Sequence, residues 1–464
     1  MNTLELTGNK DTICAISTPQ GRGGIAVIRV SGCQALDIVH RCWRGKPLSD
    51  MASHTVHLGQ VVDAVGDVLD QAVLTVYRAP NSFTGEDVVE IACHGSTWIQ
   101  RQVIQTLIDA GCRHATAGEF TRRAFANGRM DLSQAEAVAD LIDAQSRAAH
   151  RVAMNQMRGR YGQEVKALRD KLLHFVALIE LELDFSEEDV TFANRGEVTA
   201  LATEIRTLIQ QLTSSYQEGK VIKEGLPVAI VGQTNAGKST LLNALLRDDR
   251  ALVSDIHGTT RDTIEDTVVM GGTLFRFIDT AGIRQSSDAV ERMGIERSWQ
   301  AIDKANVVLW VVDVTSADTS MAHDILARCD GKALIAVLNK TDLDDDLAAR
   351  SELNDILPEG TPVVAMSAKR DSDIEALREL ITATAALPQV DNDAVIVTNA
   401  RHYQALTRAR DAIARAIDSL QGGLSGDLLD QDIRECLHWL GEITGEITTD
   451  NILGEIFAHF CIGK

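Results

Sequence analysis

Cations are scarce in this sequence. Its 464 residues carry 45 Lys and Arg against 66 Asp and Glu, a formal net charge of −21. Nonspecific nucleic-acid binding depends on cationic side chains neutralising phosphates, so a broad electrostatic footprint for nucleic acid is excluded. A nucleic-acid partner would have to meet a local basic patch or arrive with another protein. Paired cysteines are missing too. The eight cysteines are scattered with no C-x-x-C spacing, which leaves zinc and disulfide frameworks unsupported and favours reduced thiols in the cytosol. Nor is there a long apolar run. The longest strongly apolar stretch, Val307–Val312, is far short of the roughly 20 residues that cross a bilayer. The opening MNTLELTGNKD has no apolar core of a signal peptide. A cytoplasmic protein without a membrane partner is the expectation.

What is present fits a soluble globular chain, 45% hydrophobic and 24% charged, long enough for about three domains. From Asp11 to Gly118 the texture is mixed. TICAIS, IAVIRV, VLDQAVLTVY and DVVEIAC read as short strands, divided by the loops PQGRGG (19–24) and APNSFTGE (79–86). Past Glu119 the texture changes. Ser133 with Glu136 three residues on has capping-box spacing, and no Gly or Pro appears from Met130 to Met157, which predicts long helices. Helical pattern returns from Gly196 to about Gln217. VAIVG (228–232) then opens a strand, and strand–helix alternation continues to Ala386. From Asn399 onward the pattern is helical again. The fold class is therefore multidomain α+β: an N-terminal domain over 1–118, a helical domain in two parts over 119–222 and 387–464, and an α/β P-loop domain inserted over 223–386. Insertion is tolerated where the termini of a domain lie close together.

GQTNAGKS (232–239) is a complete G-x-x-x-x-G-K-S loop between a strand and a helix. Its backbone N–H groups, from Asn235, Ala236 and Gly237 onward, can wrap phosphates, with Lys238 reaching the β/γ oxygens, Ser239 holding Mg²⁺ and Thr240 continuing the turn. NKTD follows the apolar strand ALIAVL and places Asn339, Lys340 and Asp342. A carboxylate there can accept from both guanine N–H groups, which adenine cannot supply. With Asp279, Thr280, Ala281 and Gly282 before it and Ser367, Ala368 and Lys369 after it, this reads as a GTP site. GTTRD (258–262) supplies two switch threonines, of which Thr260 by preference completes the Mg²⁺ shell.

One further absence shapes the mechanism. After Gly282, where Ras-like enzymes carry a water-orienting glutamine, stands Ile283, with no donor or acceptor. Water orientation and neutralisation of transition-state charge both need another source. The Asn235 carbonyl oxygen, with backbone carbonyls of the loop Ser254–Thr259, could cage a monovalent cation beside the phosphates. Glu291 could orient water. The plainer alternatives are that Asn235 shapes the loop and that Glu291 is a solvated helix residue.

GRGG (21–24), PNSFTGED (80–87), the inserted P-loop domain with Asn235, VERMGIE (290–296) and the terminal FCIGK (460–464) together resemble the MnmE (TrmE) tRNA-modification GTPases nearly end to end. The resemblance implies a potassium-activated GTPase, homodimeric through a folate-binding-like N-terminal domain. It implies work with the FAD-dependent protein MnmG, as a heterotetramer, on the wobble uridine (U34) of certain tRNAs. There an aminomethyl or carboxymethylaminomethyl group is added at C5. It places K⁺ at Asn235, Ser254, Ile256 and Thr259, and Mg²⁺ at Ser239 and Thr260. The intervening Asp255, His257 and Gly258 join the nucleotide loop, and Glu291 is the catalytic glutamate. A tetrahydrofolate derivative, in its 5,10-methylene or 5-formyl form, falls to Arg29, Glu90, Arg129 and Lys464. Arg129 stands where lysine can occur in relatives, with the same charge but a different geometry. Cys461 is expected as an accessory thiol in a supporting role. The rival reading is a regulatory or ribosome-assembly GTPase that modifies nothing. It predicts a basic RNA-binding module, whereas Arg401–Lys464 has six Lys and Arg against ten Asp and Glu.

Overall fold

The computed structural model describes residues 11–184, 195–247, 266–278, 291–316, 319–343, 347–385, 395–422, 426–458 and 460–463. The chain folds as two compact units, one of Met1–Ala139, Gln156–Arg206 and Arg408–Lys464, the other of Asp140–Asn155 and Thr207–Thr407. All eight cysteines are free. Among the described residues no helix is long and apolar enough to cross a membrane.

The first unit holds a seven-stranded sheet built from β1 (Ile13–Ile16), β2 (Ile25–Ser31), β3 (Trp43–Arg44), β4 (Thr55–Val62), β5 (Val68–Tyr77), β6 (Val88–His94) and β7 (Arg113–His114). They lie in the order β3-β4-β5-β6-β2-β1-β7. The four expected strands are β1, β2, β5 and β6. β4 is an addition, its period of two hidden by the His, Gly and Gln of TVHLGQVV. Alternation along the strands sends Ala26, Ile28 and Val30 of β2 inward with Leu74 of β5 and Ile91 of β6. Helices Ala35–Arg41 and Thr97–Asp109 close over them with Ile38, Val103 and Leu107. Each large side chain so buried contributes about 1.5–3 kcal/mol. The same alternation leaves Arg29, Glu90 and Tyr77 on the other face. There a smaller core of Ile13, Ala15, Ala115 and Phe120 forms, with Phe83 against it.

An ionic cluster anchors the helix Glu119–Ala126 beneath β1 and β7. The Glu119 carboxylate, 1% exposed, accepts from Arg113 (2.6 and 3.0 Å), Arg123 (3.1 Å) and the Thr116 N–H (2.9 Å). Asp11 accepts from the same two arginines, and Glu86 pairs with Arg123.

The helix Leu132–Asp143 begins differently from expectation. Its cap is Asp131, not Ser133. Asp131 Oδ1 accepts from the Gln134 backbone N–H (2.8 Å), and Gln134 Oε1 accepts from the Asp131 N–H (3.0 Å), a capping box displaced by two residues. Ser133 donates to Asp131 Oδ1, and Glu136 is buried. The run free of Gly and Pro is also interrupted. A new helix, Arg147–Met157, starts where the Ala149 N–H donates to Ser146 Oγ at 3.1 Å. A serine hydroxyl can restart a helix without either breaker residue. Further on, Arg160–Asp184 packs on Gly426–Thr444. The first buries Val165, Leu168, Leu172 and Phe175, the second Ile433, Cys436, Leu440 and Ile443, the three-and-four spacing of packed helices.

The second unit contains a six-stranded sheet of β8 (Leu226–Val231), β9 (Asp266–Met270), β10 (Thr273–Phe277), β11 (Val307–Asp313), β12 (Ala333–Asn339) and β13 (Val363–Ala365), in the order β13-β12-β11-β8-β10-β9. All pair in parallel except β9, which lies antiparallel on β10. β8, β11 and β12 are near-continuous apolar runs because both faces are covered. Helices Lys238–Leu245 and Asp371–Thr384 pack on one side, Glu291–Lys304 and Ala322–Arg328 on the other. The loops leaving the carboxyl ends of β8, β12 and β13 carry the nucleotide motifs, the edge where open α/β sheets bind ligands.

Candidate functional site

At the end of β8 the loop turns on residues that only special backbone geometry allows. Gly237 has φ +97, and a Cβ there would lie 2.1 Å from Asn339 Nδ2. Asn235 is itself left-handed, with φ +64, a region rare for side-chain-bearing residues and most tolerated by Asn, Asp and His. Lys238 opens the following helix and donates from Nζ to the carbonyls of Gly232 (2.7 Å) and Gln233 (2.6 Å). Its ammonium thus lies over the loop. Burial lowers its pKa, so an anion drawn to the loop would meet a cation with little solvent. Ser239 and Thr240 continue the first turn, where helical N–H groups have no partner within the helix.

At the end of β12, buried Asn339 joins two loops. Its Nδ2 donates to Ala236 O (2.9 Å) and its Oδ1 accepts from the Ala368 N–H (3.0 Å). Asp342 accepts from Ser367 Oγ (2.7 Å) on one oxygen and from Lys369 Nζ (2.9 Å) on the other. These bonds, that of Lys369 foremost, hold its carboxyl below the ordinary range. Lys340 is left-handed, φ +71, and its Nζ reaches Asp313 Oδ2 at 2.5 Å. Asp313 belongs to none of the nucleotide motifs. Its signal is a lone acid closing the apolar strand VVLWVVD, in register with Asn339. Burial opposes its charge, yet hydrogen bonds from Lys340 and Thr315 outweigh that and lower its pKa.

The structure brings together Asn235, Ala236, Gly237, Lys238, Asn339 and Ala368, with Asp342, Ser367 and Lys369 beside them. The expected residues Ser254 to Thr260 and Asp279 to Gly282, with Ile283, lie outside the described residues. Glu291 is the first residue of the helix Glu291–Lys304.

A second site lies in the first unit. Arg29 and Glu90 are register partners across β2 and β6, and Arg29 donates from Nε (2.9 Å) and Nη2 (2.8 Å) to Glu90 Oε1. The guanidinium sits 5.4 Å from the Phe83 ring and 5.7 Å from that of Phe120. Its Nη1 lies 3.5 Å from Gly463 O, to which Ser17 Oγ also donates (3.2 Å). Ile462 bridges Ala117 in antiparallel fashion. Gly463 has φ +99, and a Cβ there would meet Ile16 O at 2.2 Å. So Arg29, Glu90 and the tail converge. Lys464 lies outside the described residues, and Cys461 is exposed.

Beside the pair opens a cavity of about 450 Å³ lined by His54, Tyr77, Asn81, Ser82, Phe83 and Arg129. The Tyr77 hydroxyl lies 3.5 Å from Glu90 Oε2. Arg129 joins the cavity over Gly85, whose φ is +78 and whose added Cβ would lie 3.3 Å from Arg129 Cγ. His54 and Tyr77 were not foreseen. Only the aromatic end of β5 hints at the latter. The size falls within the roughly 300–1,000 Å³ of small-molecule sites. The Arg129 guanidinium and the Tyr77 and Phe83 rings line the cavity, with the Arg29–Glu90 pair beside it, a set that suits an aromatic small molecule carrying an anionic group.

Two family profiles match. One, described as the MnmE helical domain, covers residues 132–461, and one described as the GTP-binding protein TrmE N-terminus covers residues 12–129. A protein of Bacteroides thetaiotaomicron named tRNA modification GTPase MnmE is 51% identical over 467 residues, spanning 98% of this chain and 100% of its own. Proteins of the same name from Bacteroides fragilis and Parabacteroides distasonis are each 52% identical, over 466 and 462 residues, again spanning 98% of this chain and 100% of theirs. Among solved structures, a bacterial selenocysteine-specific elongation factor matches at 21% identity over 34% of this chain and 28% of that chain, with a TM-score of 0.26. That likeness adds nothing to the family match. Matched nearly end to end at about half identity, with a P-loop and a guanine-type motif on one sheet edge, the chain belongs to the MnmE (TrmE) family of tRNA modification GTPases.

Proposed function

We propose that the chain is a potassium-activated GTPase that, with an FAD-dependent partner of the MnmG kind, installs an aminomethyl or carboxymethylaminomethyl group at C5 of the wobble uridine of certain tRNAs. A tetrahydrofolate derivative is the one-carbon donor. The observation that carries the GTP reading is the double hydrogen bond of Asn339 to Ala236 and Ala368, which ties the phosphate loop to the base loop. The Asn235–Thr240 loop wraps the phosphates, and Asp342 accepts from two guanine N–H groups. Ser239 and Thr260 offer hydroxyl oxygens, the hard donors Mg²⁺ requires. Asn235, Ser254, Ile256 and Thr259 offer oxygens for K⁺, and the left-handed backbone at Asn235 is the kind of strain that clusters at functional sites. A K⁺ held there supplies the positive charge that an arginine finger brings elsewhere. Glu291, opening the helix Glu291–Lys304, orients water in place of the missing glutamine.

In the first unit, Arg29, Glu90, Arg129 and Lys464 hold the folate, with Cys461 as an accessory thiol nearby. Support comes from the Arg29–Glu90 pair beside an aromatic cavity. The homodimer reading is supported by the outer sheet face, where Leu58 and Val73 are exposed register partners and Val56 is exposed on the same strand as Leu58. A second copy covering that face would remove an apolar patch from water.

The test compares GTP turnover in K⁺ and Na⁺ at equal ionic strength, where K⁺ is expected to be faster by about tenfold or more, and follows wobble nucleosides in a deletion strain. Equal rates remove the cation mechanism, and an unchanged nucleoside profile removes the modification. Asp342→Asn is expected to weaken GDP binding by about 10- to 100-fold, since a charged acceptor of two hydrogen bonds is replaced by a neutral amide with one acceptor oxygen. Titration with a fluorescent GDP measures it, and unaltered affinity would refute the base assignment.

A further inference from the structure

We propose that His54 is a further ligand-binding residue of the N-terminal cavity, donating from Nε2 to a carboxylate on the tail of the bound folate. This rests on the folate reading above. His54 has φ +62, where a side chain costs free energy that glycine would not. The turn that holds it there is clamped. The His54 N–H donates to Val76 O (2.7 Å). Arg78 donates from Nη2 to the carbonyls of Leu48 (3.1 Å), Ser49 (3.4 Å) and Met51 (3.1 Å).

The ring is positioned as carefully as the backbone. It stands at 88° to the Tyr77 ring, 5.4 Å between centroids, and lines the cavity with Arg129. Its Nδ1 lies 2.8 Å from Ser53 Oγ, which also accepts from the Arg78 N–H at 3.0 Å. The Ser53 hydroxyl keeps its hydrogen and a second lone pair, so it serves either tautomer of the ring, and a bound carboxylate would select the one that carries its proton on Nε2. The His54 side chain is exposed, and among the described residues Nε2 has no protein partner. In that tautomer the cavity presents an N–H donor along the same lining as the Arg129 cation, and a carboxylate is the ligand group that satisfies both.

The test uses the full chain, 5-formyltetrahydrofolate, and 6-methyltetrahydropterin, which has the heterocycle but no tail. In His54→Gly, relief of the strained backbone offsets the greater freedom of unfolded glycine, so Tm should stay within about 2 °C of the parent. Affinity for 5-formyltetrahydrofolate should fall about tenfold, the loss of one charge-assisted hydrogen bond, while that for the pterin holds. His54→Asn, which tolerates the same backbone and offers an amide donor, should recover part of the loss. Equal folate affinity in parent and His54→Gly overturns the proposal. Equal losses for both ligands also overturn it, reducing His54 to a shape-keeping residue. A parent chain that binds neither ligand overturns the folate reading itself and this inference with it.

Discussion

Gly237→Ala is expected to weaken GTP and GDP binding by roughly 10³-fold. The alanine Cβ would lie 2.1 Å from Asn339 Nδ2, and the φ of +97 at this position is one that L side chains rarely adopt. Two responses are open. The loop can leave its left-handed turn, which moves the N–H groups away from the phosphates. Alternatively Asn339 can yield, and it is 2% exposed with both ends of its amide bonded. The backbone strain costs about 1–2 kcal/mol, and each buried group left without its partner about 1–3 kcal/mol more. Together these reach about 4 kcal/mol. The cost falls on the nucleotide-binding geometry, so the sheet beneath should keep its thermal stability. Calorimetric titration with GDP, paired with a melting curve, checks both halves. An affinity within about threefold of the parent would mean that the loop does not need this turn.

Glu119→Ala is expected to destabilise the N-terminal sheet by about 3 kcal/mol. Removing one partner of a buried ion pair typically costs 3–5 kcal/mol because the other charge is stranded. The low end applies here, since Asp11 and Glu86 still face Arg123. Amide hydrogen exchange on the full chain should show β1 and β7 opening far more readily, with β11 unchanged. Exchange in β1 and β7 unchanged from the parent would refute the role. The pH dependence has a definite sign. Burial alone would raise the Glu119 pKa, but hydrogen bonds from Arg113, the Thr116 N–H and Arg123 outweigh it and hold it at about 2. A folded value below the ordinary 4.5 of a glutamate contributes stability that is complete above that pH and is lost as pH falls towards 2. In Glu119→Gln that loss should be flatter over the same interval, although Asp11, also lowered, keeps part of it.

The parts of this protein legible in its sequence are those whose chemistry is contiguous. The phosphate loop and the NKTD and SAK motifs state their residue types in order, and the structure gathers the described members at one sheet edge. Asn339 was named with its motif, yet its bridge to Ala236 and Ala368 depends on β8 and β12 lying on either side of β11, which spacing does not encode. The same holds for Asp313. In the first unit, Arg29 and Glu90 are named by the family resemblance alone, since a charge in an apolar strand is as often structural. Their pairing is a matter of register, as is the approach of Tyr77 on the next strand. The cap at Asp131 was misplaced for another reason. Asp131 with Gln134 and Ser133 with Glu136 both satisfy the same local rule, and the choice falls to packing, which buries Ser133 and Glu136.

The hydrogen bond from Ser17 to Gly463 spans 446 positions of the chain. At a synthesis rate of roughly 5–20 residues per second, the ribosome needs roughly 20–90 s to traverse that interval. Throughout it the nascent N-terminal sheet stands without the segment that borders β1, while the whole nucleotide-binding sheet emerges and can fold. Assembly of this protein is thus ordered in time, with the guanidinium of Arg29 gaining its neighbouring carbonyl only after every motif for phosphate and base has left the exit tunnel. Polypeptides from stalled translation before Ile462 would carry those motifs and lack that neighbour.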